Sequence, residues 1–158
     1  MPTFDDSEDW LDPIFDAVVS DLQGSGYFSR VNEHESKKAP GQDLTADVWV
    51  QHIGPSAKYS GLSITSALLV FYIRIYVNML QEPQDYIDRS VTKSVANLMR
   101  RYNADFTFEG AITHVDILGE NGLPLSAEAG YVNIDNKMFR AMTLTVPCIV
   151  ADVWPQGN

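Results

Sequence analysis

The side chains with the greatest chemical potential in this sequence are three histidines, one cysteine and a surplus of carboxylates. Only one histidine, His114, has a carboxylate two residues away on the same predicted strand face, that of Asp116. A zinc site commonly needs at least three protein ligands, so the pair indicates surface hydrogen bonding instead. Cys148 follows a proline in an apolar stretch and is typical of a small buried hydrophobic residue. We expect no metal ligands and no cofactor-binding residues.

Sequence motifs for catalysis are equally scarce. The chain contains no GxxxxGK[ST], GxGxxG or GxSxG motif, and His34-Glu35 does not continue into HExxH. Carboxylates are so frequent that no acid–base pair stands out among them. We therefore predict no catalytic residues and a protein that is not an enzyme.

Charge and length narrow the class further. The 158 residues include 21 acidic and 11 basic side chains, which gives a net charge of −10. Binding to nucleic acid through phosphates needs a basic surface, which this composition does not supply. The longest apolar run, 67–73, is far shorter than the roughly 20 residues that a membrane helix needs. Residues 1–22 lack the pattern of a signal peptide. We expect one soluble domain over residues 1–158, with no membrane contact.

Apolar spacing predicts two helices. The first has a stripe from Trp10 to Leu22 and ends at Gly24 and Gly26. Its acidic start is typical of helix capping, with Ser7 or Asp9 as the cap, and a contact for a basic partner is the alternative. The second helix opens at 81–85, where Pro83 suits the first helical position. Its buried stripe consists of Ile87, Val91, Val95, Leu98, Met99 and Tyr102.

Alternating patterns predict strands over 45–53, 64–78, 109–118, 130–134 and 137–153. Asp135-Asn136 suits a two-residue hairpin turn, and Pro147 indicates an edge or a bulge in the last strand. Residues 29–44 are predicted to form a long charged loop, and 155–158 a tail. The order of elements indicates an α+β fold, with a mainly antiparallel sheet of about five strands and two helices packed on one face.

Several segments, taken in order, resemble the tail terminator (tail completion) proteins of long-tailed bacteriophages, and in particular proteins of actinobacterial siphophages. The resemblance covers roughly residues 10–154. It is carried by the order of the segments, because none of them is a chemical motif. The segments are GPSAKYSGLSITSA, RIYVNM, EPQDYID, DFTFEG, VDILGENGLPLSAEAGYVNIDNKMFRAMTLTVP and IVADVW.

The resemblance implies a virion structural protein that is made in the host cytoplasm and forms a ring, expected to be a hexamer. Such a ring caps the tail tube protein and joins the tail to the head–tail connector protein. DNA passes through its lumen without specific binding, and a lumen lined by carboxylates would repel the phosphates. Another neck or connector completion protein is an alternative. A small-molecule-binding or enzymatic α+β domain is an alternative from a different class.

A ring subunit needs two different contact patches. One face of the 64–78 strand ends in tyrosine and arginine, residue types that are enriched at interfaces, although a solvated face would use them too. The charged loop is a second candidate, as a binding segment or as a merely mobile one. We predict that the subunit or tube interface includes Arg30, Lys37, Lys38, Tyr59, Tyr72, Arg74 and Tyr76.

Overall fold

A computed structural model describes residues 2–4, 8–38, 43–80 and 82–157, and it has the predicted α+β architecture. No helix in these ranges is both long and apolar enough to cross a membrane. In chain order the elements are α1 (Leu11–Gly24), β1 (Arg30–Asn32), β2 (Thr45–Pro55), β3 (Ile64–Asn78), a 3-10 turn (Gln84–Tyr86), α2 (Ile87–Ala104), β4 (His114–Val115), β5 (Ser126–Ile134) and β6 (Lys137–Pro155).

The strands form one mixed sheet in the order β1-β2-β3-β6-β4, and β5 also pairs with β6. Among the described residues β1 and β2 are the one parallel pair, so the sheet is mainly antiparallel as predicted. The 19-residue β6 pairs with β3 along one edge. Along its other edge it pairs first with β5 and then with β4. The two longest strands therefore form the centre of the sheet.

Both helices contribute to one core cluster, which they share with a single face of the sheet. The odd-numbered residues of β3, from Ala67 to Val77, belong to this cluster. Because side chains alternate along a strand, the even-numbered residues of β3 point to the opposite face. The helices thus pack on one face, as predicted. Their buried contributions are Ile14, Val18 and Leu22 from α1, and Ile87, Val91, Val95, Leu98 and Tyr102 from α2.

The helix boundaries differ from the prediction in detail. Trp10 is the residue before α1 and makes no side-chain cap, so Asp9 is not the cap, and Ser7 lies outside the described residues. The second helix begins at Ile87, because a 3-10 turn follows Pro83. The buried stripe predicted for α2 is correct except at Met99, which is only partly buried.

The strand predicted over 109–118 is wrong, since only His114–Val115 is extended. Phe108, Glu109 and Gly110 all have positive φ angles, of 49°, 56° and 88°. The carboxylate of Asp105 accepts hydrogen bonds from the backbone N–H groups of Thr107 and Glu109. These bonds hold a turn where alternation alone predicts a strand.

Two further strand predictions need correction. The predicted 29–44 loop contains β1, which pairs in parallel with the start of β2, and residues 39–42 lie outside the described ranges. The strand predicted over 130–134 begins earlier, at Ser126. Both segments gain strand structure by pairing with a neighbour, which local composition does not show.

Pro147 lies inside the sheet, so the predicted sheet edge or bulge at this residue is wrong. Its carbonyl accepts a hydrogen bond from the backbone N–H of Asp116 at 2.8 Å. The N and C=O groups of one strand residue point to the same side, so the missing N–H also points there. On that side β6 pairs with β5 up to Thr145 and with β4 from Cys148 onward, so Pro147 lies in the gap between the two partner strands. The proline therefore costs the sheet no ladder bond there.

Candidate interaction surface

The sheet face opposite the helices, which we call the open face, is the candidate functional site. Small apolar clusters cover its two ends, one around Leu68 and Val70 and the other around Tyr76 and Phe139. Between them lies a groove of about 650 Å³. Strands β2, β3, β5 and β6 all contribute side chains to it. Its lining includes Trp49, Gln51, Tyr72, Arg74, Ser126, Glu128, Tyr131, Thr143 and Thr145, together with Glu35 from the segment after β1.

Arg74 is the most constrained side chain of the groove. Its Nη1 donates to Glu35 Oε1 at 3.1 Å, and its guanidinium carbon lies 4.9 Å from the centre of the Trp49 ring. The Trp49 and Tyr72 rings meet edge-to-face with centroids 6.1 Å apart. Only 17% of the Arg74 side chain is exposed. The Trp49 ring and the Glu35 carboxylate therefore hold the Arg74 guanidinium in place as a wall of the groove.

A buried carboxylate fixes the segment that carries Glu35. Asp47 is fully buried and accepts four hydrogen bonds, at 2.8–3.0 Å. The donors are Asn32 Nδ2, the backbone N–H and hydroxyl of Ser36, and the hydroxyl of Tyr76. Charged acceptors make stronger hydrogen bonds than neutral ones, so this cluster clamps residues 32–36 onto the open face. We call residues 33–38 the strap.

Tyr76 does not have the exposure that an interface residue needs. Its side chain is fully buried, packs edge-to-face on Phe139 at 5.5 Å and donates to Asp47. Burial is the main reason that the pKa of its hydroxyl is raised. The prediction of Tyr76 as a contact residue is therefore wrong, because the side chain is covered by the strap and hydrogen-bonds to Ser36 and Asp47.

The other predicted interface residues fall into separate places. Tyr72 and Arg74 lie in the groove, and Arg30, Lys37 and Lys38 are exposed beside it, on β1 and the strap. Tyr59 is not in this group. It lies in the connection between β2 and β3, on the side of the sheet where β3 begins.

Tyr59 belongs to a contact between two loops. Its hydroxyl donates to Glu120, and its ring meets the ring of His114 at 4.7 Å. The hydrogen bond to Glu120 is the largest cause of the raised pKa of Tyr59. The hydroxyl of Ser56 donates to Asn121 Oδ1 at 2.9 Å. These contacts join residues 55–63 and 116–123 into one unit, which we call the loop end.

Asp116 organises the second of these loops. It accepts hydrogen bonds from the backbone N–H groups of Glu120 and Asn121, at 2.8 and 2.9 Å. Burial raises the pKa of this carboxyl, but these bonds lower it by more, so the pKa lies below its ordinary value. Asp116 therefore acts as a loop cap, and its carboxylate oxygens are occupied by donors of the protein itself.

Two other features outside the open face carry polar groups. Arg101 Nη2 donates to Asp21 Oδ1 at 2.6 Å between the helices, beside a cavity of about 260 Å³. Cys148 is buried, which raises the pKa of its thiol. Within the described ranges no three His, Cys, Asp or Glu side chains come together as metal ligands would.

The sequence reasoning missed three residues that shape the open face: Asp47, Trp49 and Glu35. A signal for the first two was present, since both lie on the face of the 45–53 pattern that points away from the core. Glu35 carried no signal, because nothing local indicates that it reaches a strand about 40 residues away. No protein-family model matches the chain, and a search of curated proteins finds no match.

Proposed function

We propose that this chain is a non-enzymatic virion protein, a tail terminator whose copies close into a hexameric ring. In this proposal the ring caps the tail tube and joins the tail to the head connector, with DNA passing through the lumen. The resemblance of the ordered segments gives the protein class. The structural observation that carries the proposal is the groove on the open face, because it suits contact with another protein.

The chemistry of the groove favours a polypeptide partner. Aromatic residues and arginine are enriched at protein interfaces, and Trp49, Tyr72 and Arg74 stand together on one wall. Small side chains and strand backbone form much of the rest, with Thr143 and Thr145 offering hydroxyl groups. A volume of 650 Å³ takes several side chains of a partner. A pre-organised wall of this kind loses little entropy on binding.

A closed ring joins unlike surfaces, so a second patch is needed. The loop end supplies one that is apolar and exposed. Leu62 is fully exposed and Leu118 is 89% exposed, with Ile53 half-exposed nearby in the chain at the end of β2. These exposed apolar side chains are available for contact with a neighbouring copy, and a contiguous patch of them would be typical of a contact surface. We place the loop end of one copy against the groove of the next.

The proposal is tested first by removing the chain from the phage that encodes it and examining the particles by negative-stain electron microscopy. Tails of uncontrolled length, without attached DNA-filled heads, are the expected result. Tails of normal length beside separate heads would assign the chain to another step of neck completion. Intact infectious particles would overturn the structural role and favour a ligand-binding or enzymatic domain.

The groove is tested separately by the change Arg74→Glu. This change places a carboxylate against Glu35 and removes the cation from the Trp49 ring, so we expect ring formation to weaken at least 10-fold. The matched control is Arg89→Glu, which reverses an exposed charge on α2. Light scattering measures the ring, about 106 kDa for six chains of 17.6 kDa. Intact Arg74→Glu rings would remove the groove from the subunit contact.

A further inference from the structure

We propose that adjacent copies of this chain are held together by an electrostatic contact between an acidic stripe at the start of α1 and a basic cluster beside the groove. This inference rests on the ring proposed above and names the charges that set its register. The acidic stripe consists of Glu8, Asp9, Asp12 and Asp16, and the basic cluster consists of Arg30, Lys37 and Lys38.

The acidic stripe is unusual for its lack of local counter-charge. Residues 1–29 contain seven acidic side chains and no lysine or arginine. All four stripe residues are exposed, and Asp9, Asp12 and Asp16 follow each other at three- and four-residue spacing. Asp12 and Asp16 lie in α1, four residues apart, and like charges at that spacing repel one another along a helix. Among the described residues, none of the four forms an ion pair. A cationic partner would relieve this repulsion.

The basic cluster is equally distinctive in a protein with so few basic residues. Three of the 11 lysines and arginines fall within nine positions, and all three are exposed. In the described part of the chain none of them forms an ion pair. The strap also holds Glu33, His34 and Glu35. Of these, Glu35 is paired with Arg74. Lys37 and Lys38 are therefore the dominant charges at the C-terminal end of the strap.

The strap presents these lysines from a fixed position. Ser36, the residue before Lys37, is bonded to the buried Asp47 through both its backbone N–H and its hydroxyl, at 3.0 and 2.9 Å. A charged side chain on an anchored segment loses less entropy on binding than one on a free loop. The anchored strap therefore suits the contact that we propose.

Within one chain the two charged surfaces lie on opposite faces of the sheet. α1 packs on the helix-covered face, whereas the strap lies on the open face over Tyr76. The start of α1 is also at the far end of the sheet, because Trp10 packs on Trp154, which pairs with Thr65. The strap lies over Tyr76, which is 11 residues along β3 from Thr65, so about 36 Å separates it from the start of α1. The pairing must therefore join different copies, head to tail.

The two surfaces also fit the arrangement proposed for the ring. The acidic stripe begins on the same side of the sheet as the loop end, and the basic cluster borders the groove. One heterologous interface can thus contain both the apolar contact and the charge pairing. Opposite charges at its rim would set the register and raise the rate of association.

Charge reversal tests the pairing. One variant carries Asp12→Lys and Asp16→Lys, and a second carries Lys37→Glu and Lys38→Glu. The first variant changes the charge of the stripe from −4 to 0, and the second changes that of the basic cluster from +3 to −1. Because each change removes the attraction between the two surfaces, we expect ring formation to fall at least 10-fold. Mass photometry measures it for the protein alone and for the protein on purified tail tubes. An equimolar mixture should recover assembly, because the two variants can alternate around a six-membered ring. Recovery would also show that both variants are folded.

The control and the salt dependence complete the test. The variant Arg89→Glu/Arg100→Glu changes the charge by the same amount on exposed positions of α2 and should assemble like the parent protein. Assembly of the parent should weaken as salt rises, because screening shortens the reach of exposed charges. Variants that assemble normally, or a mixture that does not recover, would overturn this contact while leaving the ring intact. A parent protein that forms no ring even on tail tubes would overturn the ring itself.

Discussion

Asp47 connects the strap, the sheet and the groove through a single carboxylate. Replacing it with alanine would leave buried donors of Asn32, Ser36 and Tyr76 without their acceptor. Unpaired buried donors are costly, so we expect Asp47→Ala to lower the free energy of unfolding by about 3 kcal/mol. Urea unfolding followed by circular dichroism measures this loss. Asp43→Ala removes an exposed carboxylate nearby and should cost less than about 0.5 kcal/mol. A loss for Asp47→Ala as small as that of the control would show that the strap is not clamped.

Asp116 makes part of the stability depend on pH. Its pKa is lowered in the folded state by backbone N–H bonds that outweigh the effect of burial. A carboxyl with a lowered pKa stabilises the fold above its unfolded pKa, and that contribution is lost as the pH falls through the folded pKa. Asp116→Asn, which cannot accept all these bonds, should therefore cost about 1–2 kcal/mol at neutral pH.

The measurement compares the urea midpoints of Asp116→Asn and the parent protein between about pH 7 and pH 3. The gap between the two should narrow below about pH 5, because protonation removes the same acceptor from the parent. Asp43→Asn serves as the exposed control. A gap that stays constant over this range would show that the charge of Asp116 does not support the loop end.

At the scale of single residues, the sequence indicates side-chain direction better than it indicates exposure. Alternation along 64–78 correctly places Tyr72, Arg74 and Tyr76 on one face. It does not show that the strap and Phe139 cover Tyr76 and leave Tyr72 beside the groove. Coverage of that kind depends on contacts between residues about 40 to 60 positions apart, for which a local pattern contains no information.

The β5–β6 hairpin is the element that closes one side of the groove. Its turn residues Asp135 and Asn136 have φ angles of 56° and 61°, which are those of a type I′ turn, as the sequence predicted. A β-branched residue is strained in this conformation, so we expect Asn136→Val to lower the free energy of unfolding by about 2 kcal/mol. Asn136→Gly should instead be neutral or slightly stabilising.

Hydrogen exchange of the β5 amides gives a local readout for these variants. In the part of the chain that the structure describes, β5 pairs with β6 alone, so a strained turn should speed exchange over Ser126–Ile134 and leave β2 unchanged. The matched control is Asn133→Val, a strand position just before the turn, where valine meets no such strain. Equal protection in Asn136→Val and the control would contradict a role of the turn in holding the hairpin.

Elements with strong periodicity were predictable, and those that depend on turns or partners were not. The bounds of β3 agree with the prediction, because fifteen alternating residues give a clear signal. The segment 109–118 alternates as well, but positive φ angles at Phe108, Glu109 and Gly110 fold it back. β1 has only three residues and exists by pairing with β2, so its own composition could not reveal it.

For the whole molecule, the distribution of charge matters more than the net value. Acidic residues exceed basic ones in both halves of the chain, by 11 to 5 in residues 1–79 and by 10 to 6 in residues 80–158. The basic cluster is the exception, and in the proposed ring it contacts a neighbouring copy. In an assembled ring it would then be covered, which would leave an acidic surface toward passing DNA.

This arrangement predicts that the protein does not hold DNA. Binding of duplex DNA depends on phosphate contacts with lysine and arginine, so we expect no anisotropy change with a labelled duplex up to about 100 µM protein, even at low salt. Micromolar binding that weakens steeply with salt would contradict free passage. Repeating the titration with Lys37→Glu/Lys38→Glu would then identify the source. If that variant lost the binding, the basic cluster would face the DNA and not a neighbouring copy. This result would contradict both the charge pairing between copies and a lumen lined by carboxylates.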